Sequence, residues 1–175
     1  ELGLERATDV LEEMDPDDAA DLLSELPPEQ AEEYLEAMEP DEAEDLRRLL
    51  TYDDFSAGGM MTTEPIVLST DATVAEALAR VREEQLSPAL ASQVYVTRQP
   101  LETPTGKYLG VAHVQRLLRE PPSSLVSGVL DTSLDPIGPG APLGQVARYF
   151  ATYNLVALPV VDANGHLIGA VTIDD

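Results

Sequence analysis

The chain has 175 residues, of which 33 are Asp or Glu and 10 are Lys or Arg, so its formal net charge at pH 7 is −23. Nucleic-acid binding depends on clustered Lys and Arg, and this charge therefore excludes nucleic acid as an expected partner. Hydrophobic residues make up 43% of the chain, enough for a core in one or two domains. The absence of cysteine removes disulfides, thiolate metal ligands and cysteine nucleophiles from consideration.

The acidic residues are concentrated at the start of the chain and follow a repeat. Residues 1–54 hold 21 acidic and 3 basic side chains, a net charge of −18, whereas residues 55–175 have a net charge of −5. Within the acidic part, similar residues recur every 12 positions. The repeat is marked by an apolar residue at Leu2, Met14, Leu26 and Met38, and by an alanine five positions later at Ala7, Ala19, Ala31 and Ala43.

Proline marks the start of a helix in three of the four repeats. Pro16, Pro28 and Pro40 each follow the first apolar residue by two positions. Proline fits the first helical position, because its missing N–H would have no partner there. Each repeat is therefore predicted to form a helix of about eight residues, with Asp15 as one N-cap. Such short helices are unstable alone, so we predict that they stack through the alanines and the residues eight and nine positions into each repeat.

Each predicted helix also carries two acidic residues four positions apart. The pairs are Glu5 and Asp9, Asp17 and Asp21, Glu29 and Glu33, and Asp41 and Asp45. Like charges at this spacing share a helical face and destabilise it by roughly 0.2–0.5 kcal/mol per pair. The pairs form either a solvated acidic face or a site for a bound cation. Carboxylates without Cys or His suit Mg²⁺, with Ca²⁺ or Mn²⁺ as substitutes, better than zinc.

The rest of the chain contains two copies of one α/β unit. The paired Gly58 and Gly59 predict a break at residues 51–59, where the periodicity changes. Beyond them, the predicted helix starts at residues 72 and 141 are 69 positions apart, and the glycines that flank the predicted strands are 59 apart. The first copy has a longer loop, residues 99–105. The predicted fold class is α+β, with a partial all-α helical superhelix followed by a tandem α/β pair.

Two stretches resemble a known family. Residues 158–175, from Leu-Pro-Val-Val-Asp to Val-Thr-Ile-Asp-Asp, resemble a cystathionine-β-synthase (CBS) motif, and two such units resemble a CBS pair, or Bateman module. Residues 14–23 and the junction over residues 52–62 resemble the cytosolic part of MgtE-type magnesium transporters. The resemblance covers essentially the whole chain. It implies an acidic helical N domain, a first CBS unit with its leading linker and a second CBS unit, over residues 1–54, 55–122 and 123–175.

The resemblance also implies a function and a location. In that family the cytosolic domains sense intracellular Mg²⁺, and ions bound between the acidic helices and the CBS pair favour the closed pore. The chain would then be a fragment, truncated at both ends, of a membrane protein at the cytoplasmic face of the cell membrane. Its expected partners are the transmembrane domain of the same protein and a second copy, because the family forms homodimers through the CBS units.

Residue by residue, the resemblance implies a set of metal ligands. Asp17 and Asp21 match the helical acids of the family's motif, with Asp18 as a neighbour, and Asp175 matches the ligand on the CBS side, with Asp174 as its neighbour. From the residues alone, Asp174 and Asp175 fit equally the cap and first turn of a following helix. Where relatives carry a Glu and an Asp in the second CBS unit, this chain has Gly144 and Asn154, so fewer metal sites are predicted.

Two other functions remain open. CBS modules commonly bind adenine nucleotides through a Thr/Ser-x-x-Asp pattern, which Thr172 and Asp175 match and which is broken in the first copy by His113 and Arg116. ATP is therefore a weaker candidate ligand. A pure interaction scaffold would also use helical repeats. An enzyme is not expected, because the sequence has no nucleophile elbow or phosphate-binding glycine loop, and its histidines, His113 and His166, have no visible metal partner.

Overall fold

The computed structural model describes residues 2–174, and its first part is a helical array. The array consists of α1 (Leu2–Glu13), α2 (Pro16–Ser24), α3 (Pro28–Ala37) and α4 (Pro40–Leu49). The three prolines occupy the first helical positions, as predicted, while the helices run to 9–12 residues rather than about eight. Helix α1 packs against α3 and α2 against α4, so that alternate helices stack.

The buried stripe of the array is narrower than predicted. Its alanines at Ala19 and Ala43 are buried, as is Leu23 at the ninth repeat position. At the eighth position, however, Val10 and Leu22 are 56% and 45% exposed, so their predicted burial is wrong. Consecutive helical residues point about 100° apart, and here the ninth position, four residues from the alanine, takes the buried face. The eighth position is buried only in the last repeat, where Leu46 reaches the core.

The structure tests two local predictions. Asp15 occupies the N-cap of α2, as predicted, although its carboxylate makes no capping hydrogen bond within the described part of the chain. Gly58 and Gly59 do not break the chain, because both lie inside a single helical turn, α5 (Ala57–Met60), which Ser56 caps. Glycine is needed there for close packing, since a Cβ on Gly58 would stand 2.5 Å from the ring of Tyr52.

The two α/β units have the predicted elements. In the first unit, β1 (Val67–Leu68), β2 (Gln93–Thr97) and β3 (Tyr108–His113) form one sheet, with α6 (Val74–Val81) before β2 and α7 (Val114–Leu117) after β3. In the second unit, α8 (Leu143–Tyr153) precedes the antiparallel strands β4 (Ala157–Val161) and β5 (Leu167–Thr172). Helices α6 and α8 begin 69 residues apart, which confirms the predicted offset, and the α+β fold class is confirmed with it.

The segment that leads into each unit first pairs with the other unit. Thr62, ahead of the first unit, exchanges two backbone hydrogen bonds of 2.9 Å with Ala170 of β5. Asp131, ahead of the second unit, exchanges the equivalent pair with Val111 of β3, at 3.2 and 2.7 Å. The offsets from Thr62 to Asp131 and from Val111 to Ala170 are 69 and 59, the same as those read from the sequence. The duplication therefore extends to this crossing of each leading segment to the other unit.

Each leading segment then joins its own unit. Val67 pairs with Tyr95 of β2, and Ile137 pairs with Val160 of β4, both in parallel. The linker at residues 55–62, which the sequence places with the first unit, consequently makes its backbone hydrogen bonds to the second. The domain boundaries themselves remain a prediction.

The longer loop of the first unit ties the two units together. Thr105 donates its backbone N–H to the carbonyl oxygen of Leu167 at 3.0 Å, and its Oγ1 accepts the N–H of Leu167 at 3.1 Å. The Thr103 hydroxyl donates to the carbonyl oxygen of Thr63 at 2.9 Å. The loop thus fixes the linker and the start of β5 together.

A continuous apolar cluster joins the helical array to the second unit. It includes Leu23 and Leu46 of the array, Met61 of the linker, and Leu158 and Val171 of the second unit. The array contacts the second unit because the linker, which follows the array directly in the chain, pairs with β5. Among residues 2–174, no helix is both long enough and apolar enough to cross a bilayer.

Candidate functional site

An acidic cleft of about 530 Å³ lies where four segments of the chain meet. The segments are the start of α2, the linker, the region after α6 and the end of β5. The pairing of Thr62 with Ala170 creates this meeting, because it sets the linker residues after Thr62 beside the residues that follow β5. The acidic residues that line the cleft are Asp15, Asp17, Asp18, Glu64, Glu83 and Asp174.

The cleft brings together three of the five predicted metal ligands. Asp17 and Asp18, in the first turn of α2, line it together with Asp174 from the end of the second unit. Asp21 is exposed one turn further along α2 and does not line the cleft. Asp175 lies outside the described residues. The role of all five as metal ligands remains a prediction.

Three acids of the cleft, Asp15, Glu64 and Glu83, are not among the site residues predicted from the sequence. Asp15 was assigned only as a helix cap, and Glu64 follows the linker threonines without any repeat or motif to mark it. Glu64 also lines a neighbouring groove of about 330 Å³ with Asp45 of α4 and Glu102 of the long loop. Only the folded chain places Glu64 between the helical array and the α/β units.

Carboxylates from separate segments repel each other around Glu64. Although Glu64 is exposed, partial desolvation raises its pKa, and the charges of Asp15, Asp45 and Glu42 raise it further. The pKa of Glu42, also exposed, is raised by partial desolvation and then by neighbouring acids. Burial also raises the pKa of Asp45, although its ion pair with Arg48 opposes the shift. Negative charge is thus gathered where the array meets the linker, at a cost to the folded arrangement.

The donors in the cleft match the chemistry of a hard divalent cation. They are carboxylates, with the hydroxyl-bearing side chains of Thr62 and Thr172 on the same lining. Oxygen ligands of this kind suit Mg²⁺, which keeps several waters and takes one or two carboxylates. Among residues 2–174, no three His, Cys, Asp or Glu side chains are close enough to form a metal-binding group. Of the predicted ligands, Asp17, Asp18 and Asp174 line the cleft, and their role as ligands of a hydrated cation remains a prediction.

The predicted nucleotide-binding positions differ between the two units. Thr172, at the end of β5, is buried and lines the acidic cleft. At the end of β3 in the first unit, His113 Nε2 lies 3.0 Å from Asp131 Oδ2, and Arg116 Nε donates to Glu120 Oε1 at 2.8 Å. The positions that break the pattern in the first unit are thus held in local polar pairs.

Asp131, in the segment that leads into the second unit, is held by several hydrogen bonds. Its Oδ1 accepts hydrogen bonds from the hydroxyl and the backbone N–H of Ser133, at 2.6 and 2.9 Å. These bonds, together with the one to His113, lower the pKa of Asp131 to about 2. The other histidine, His166, lies 3.9 Å from Asp162 across the hairpin turn.

Gly144 and Asn154, which stand where relatives carry acids, lie on α8 and at its C-terminal cap. Gly144 is exposed near its start, and Asn154 ends the helix in the left-handed conformation, with φ of 53°. Asparagine tolerates this conformation well. Neither residue lines the acidic cleft, and the number of metal sites remains a prediction.

Comparison with known families accounts for both parts of the chain. A family described as the MgtE intracellular N domain matches residues 1–54, and the CBS domain family matches residues 57–123 and 126–175. The chain belongs to the CBS domain family, with an MgtE N domain ahead of its CBS pair. The resemblance seen in the sequence is confirmed.

Individual relatives agree with this assignment. The magnesium transporter MgtE of Enterococcus faecalis is 31% identical over 130 residues, which are 74% of this chain and 28% of that protein. A crystal structure of the soluble part of a magnesium transporter is 29% identical, with a TM-score of 0.84 over 98% of this chain and 65% of the other. The cytosolic domain of the Mg²⁺ channel MgtE in complex with ATP is 28% identical, with a TM-score of 0.82 over 97% and 67%. These relatives are transporter parts rather than enzymes, and this chain spans just over a quarter of the full-length transporter it matches.

Proposed function

We propose that this chain is the Mg²⁺-sensing regulatory part of an MgtE-type magnesium transporter or channel. Mg²⁺ bound between the N domain and the CBS pair favours the closed pore of the transmembrane domain, and loss of Mg²⁺ lets the two parts separate. The observation that carries the proposal is the single cleft lined by Asp17 and Asp18 of the N domain and by Asp174 of the CBS pair. The sensor acts at the cytoplasmic face of the membrane and has no catalytic role.

The charge of the N domain explains why closure would need a cation. Residues 1–54 carry a net charge of −18, and they meet Glu64 and Asp174 across the cleft. Without a cation these groups repel each other. A divalent ion that binds only the closed arrangement stabilises it by about 1.4 kcal/mol for each tenfold rise in concentration well above the dissociation constant. Closure therefore follows the Mg²⁺ concentration.

The proposed ligands are Asp17, Asp18 and Asp21 on the helical side and Asp174 and Asp175 on the CBS side. We expect Asp17 and Asp18 to contribute more to Mg²⁺ binding than Asp21, because they line the cleft and Asp21 does not. Ca²⁺ and Mn²⁺ would substitute for Mg²⁺ because carboxylate oxygens also bind them.

The proposal is tested by titrating the chain with Mg²⁺ while its radius of gyration and its resistance to chymotrypsin are measured. Mg²⁺ at millimolar order should compact and protect the wild-type chain. D17N should raise the Mg²⁺ midpoint by about tenfold, the effect of losing about 1.4 kcal/mol from one charged ligand. D21N should raise it less.

D9N is the matched control for these variants. Asp9 is exposed on α1 and belongs to the same repeat position as Asp21, so this variant makes the same change of charge away from the cleft. Its midpoint should stay at the wild-type value. A wild-type chain that ignores Mg²⁺, or a D9N midpoint shifted as far as that of D17N, would overturn the proposed site.

Nucleotide sensing is the second candidate function. It is favoured by the ATP complex of a relative and by the position of Thr172 on the wall of the cleft. In this case ATP alone would protect the chain, and T172A would abolish that protection. If neither ATP nor Mg²⁺ protects the chain, the interaction scaffold becomes the better description.

We also propose that the chain forms a homodimer through its CBS pair, as the family resemblance implies. Exposed apolar side chains along and beside α8 support this: Phe55 of the linker, and Leu143, Tyr153, Val156 and Ile173 of the second CBS unit. Exposed apolar patches of this kind mark interaction surfaces. Sedimentation equilibrium should give a dimer that L143E weakens, and a monomer with and without Mg²⁺ would contradict the assignment.

A further inference from the structure

Arg80 has an unusual position in this strongly acidic region. It stands at the end of α6, in the first CBS unit, and lines both the acidic cleft and the neighbouring groove. Among the described residues that line these two spaces, it is the one basic side chain. The carboxylates that share the two linings with it are Asp15, Asp17, Asp18, Asp45, Glu64, Glu83, Glu102 and Asp174.

The guanidinium is held in place from its own side of the cleft. Arg80 Nε donates a hydrogen bond to Glu83 Oε1 at 2.8 Å, and the two side chains are 45% and 35% exposed. This bond uses one of the five N–H donors of the arginine. The arginine keeps its full positive charge in this bond, and it lines the same two spaces as acids of the N domain and the linker. Charges within about 10 Å of each other interact at moderate salt.

We infer that Arg80 is a built-in counter-cation that partly replaces Mg²⁺ in holding the N domain against the CBS pair. The inference rests on the proposed Mg²⁺-sensing function and adds a residue that sets the range of Mg²⁺ concentration over which the chain closes. In the metal-free chain, Arg80 offsets part of the repulsion among the acids, so some closure persists. When Mg²⁺ fills the cleft, the acids are neutralised by the ion and the contribution of Arg80 becomes redundant.

The test compares R80Q with the wild-type chain by hydrogen–deuterium exchange of α2 and by the radius of gyration, with and without saturating Mg²⁺. Without divalent cations, R80Q should exchange about two- to fivefold faster in α2, as expected for the loss of an exposed charge interaction. Saturating Mg²⁺ should bring the two chains to the same exchange rate. R80K, which keeps the charge, should stay close to wild type.

Two matched controls separate this role from a local one. Arg82 is exposed two positions away and lines neither space, so R82Q should leave the metal-free exchange unchanged. E83Q removes the partner of Arg80 but leaves the guanidinium in the cleft, so it should not accelerate exchange. Equal behaviour of R80Q and R82Q without metal, or acceleration by E83Q equal to that of R80Q, would overturn the inference.

Failure of the inference can be distinguished from failure of the proposed function. The metal-free comparison of R80Q with R82Q does not depend on any response to Mg²⁺ and decides the role of Arg80 in closure. If the wild-type chain does not respond to Mg²⁺ at all, the sensing function fails instead. If the wild-type chain responds to Mg²⁺ but the faster α2 exchange of R80Q persists at saturating Mg²⁺, arginine and ion act at different places. That result would overturn the proposal that Arg80 partly replaces Mg²⁺.

Discussion

The two CBS units share a backbone and differ in what stands at the end of their last strand. The first unit ends β3 with His113, paired with Asp131, and Arg116, paired with Glu120. The second unit ends β5 with Thr172 and Asp174, which open onto the acidic cleft. In both units the leading segment pairs with the other unit, while the polar residues at the strand ends differ. Asp17 and Asp18 of the N domain share the lining of the acidic cleft with the strand end of the second unit.

The largest expected difference between the units is in how much stability an alanine costs at the two crossings of the leading segments. A Cβ on Gly169 would stand 2.5 Å from the carbonyl oxygen of Thr62, whereas one on its counterpart Gly110 would stand 3.1 Å from that of Asp131. G169A should therefore destabilise the chain by about 2–4 kcal/mol, and G110A by about 1 kcal/mol. Urea unfolding measures both. Equal losses would mean that the two crossings are packed equally tightly.

The acids beside the second unit predict an unusual pH dependence. Because the pKa of Glu64 is raised above 4.5 in the folded chain, its ionised form disfavours folding. That penalty is fully present above the folded pKa and disappears as pH falls below 4.5, so metal-free stability should rise as the solution is acidified from pH 7 toward 4.5. E64Q should remove part of this rise and gain about 0.5–1 kcal/mol at pH 7, a modest value because the side chain is partly solvated.

The matched control for Glu64 is E76Q, at an exposed acid in the first turn of α6. Glu76 belongs to a capping box with Thr73, and Gln retains that hydrogen-bonding capacity. Thermal unfolding between pH 5 and 7 should show no gain for E76Q. A flat pH profile for the wild-type chain would contradict the repulsion inferred around Glu64.

The polar pair of the first unit gives the smallest effect and the opposite pH dependence. The lowered pKa of Asp131 contributes stability above pH 3.8, which is lost as pH falls through about 2. H113Q should raise the pKa of Asp131 while costing at most about 0.5 kcal/mol at neutral pH, because both side chains are well exposed. NMR titration of the Asp131 carboxyl carbon follows the pKa directly, and an unchanged value would assign the whole shift to Ser133.

The order of helices and strands was accessible from local patterns. Proline at a fixed repeat position predicted the starts of α2, α3 and α4, and the offset of 69 residues predicted the relation between α6 and α8. The same reasoning failed where packing decides between neighbouring positions. Val10 and Leu22 are apolar like core residues, yet they are 56% and 45% exposed because the ninth repeat position takes the buried face of the helix.

The candidate site was predictable only in part. Asp17, Asp18 and Asp174 stand in motifs that resemble a known family, and all three line the cleft. Glu64 and Arg80 have no such mark. They share a cleft with Asp174 because the linker crosses to β5, a contact between residues more than 100 positions apart in the chain. Local periodicity carries no information on a crossing of that kind.

The sequence by itself determined the acidic charge, the helical repeat, the duplicated units and the family, because each is written in residues close together or at constant spacing. The tertiary structure alone decided which carboxylates share a cleft, which strand end faces them and that one arginine stands among them. Electrostatic interaction depends on distance in space and on burial. Both are set by the crossing of the linker to β5 and by the apolar cluster that holds the N domain against the second CBS unit.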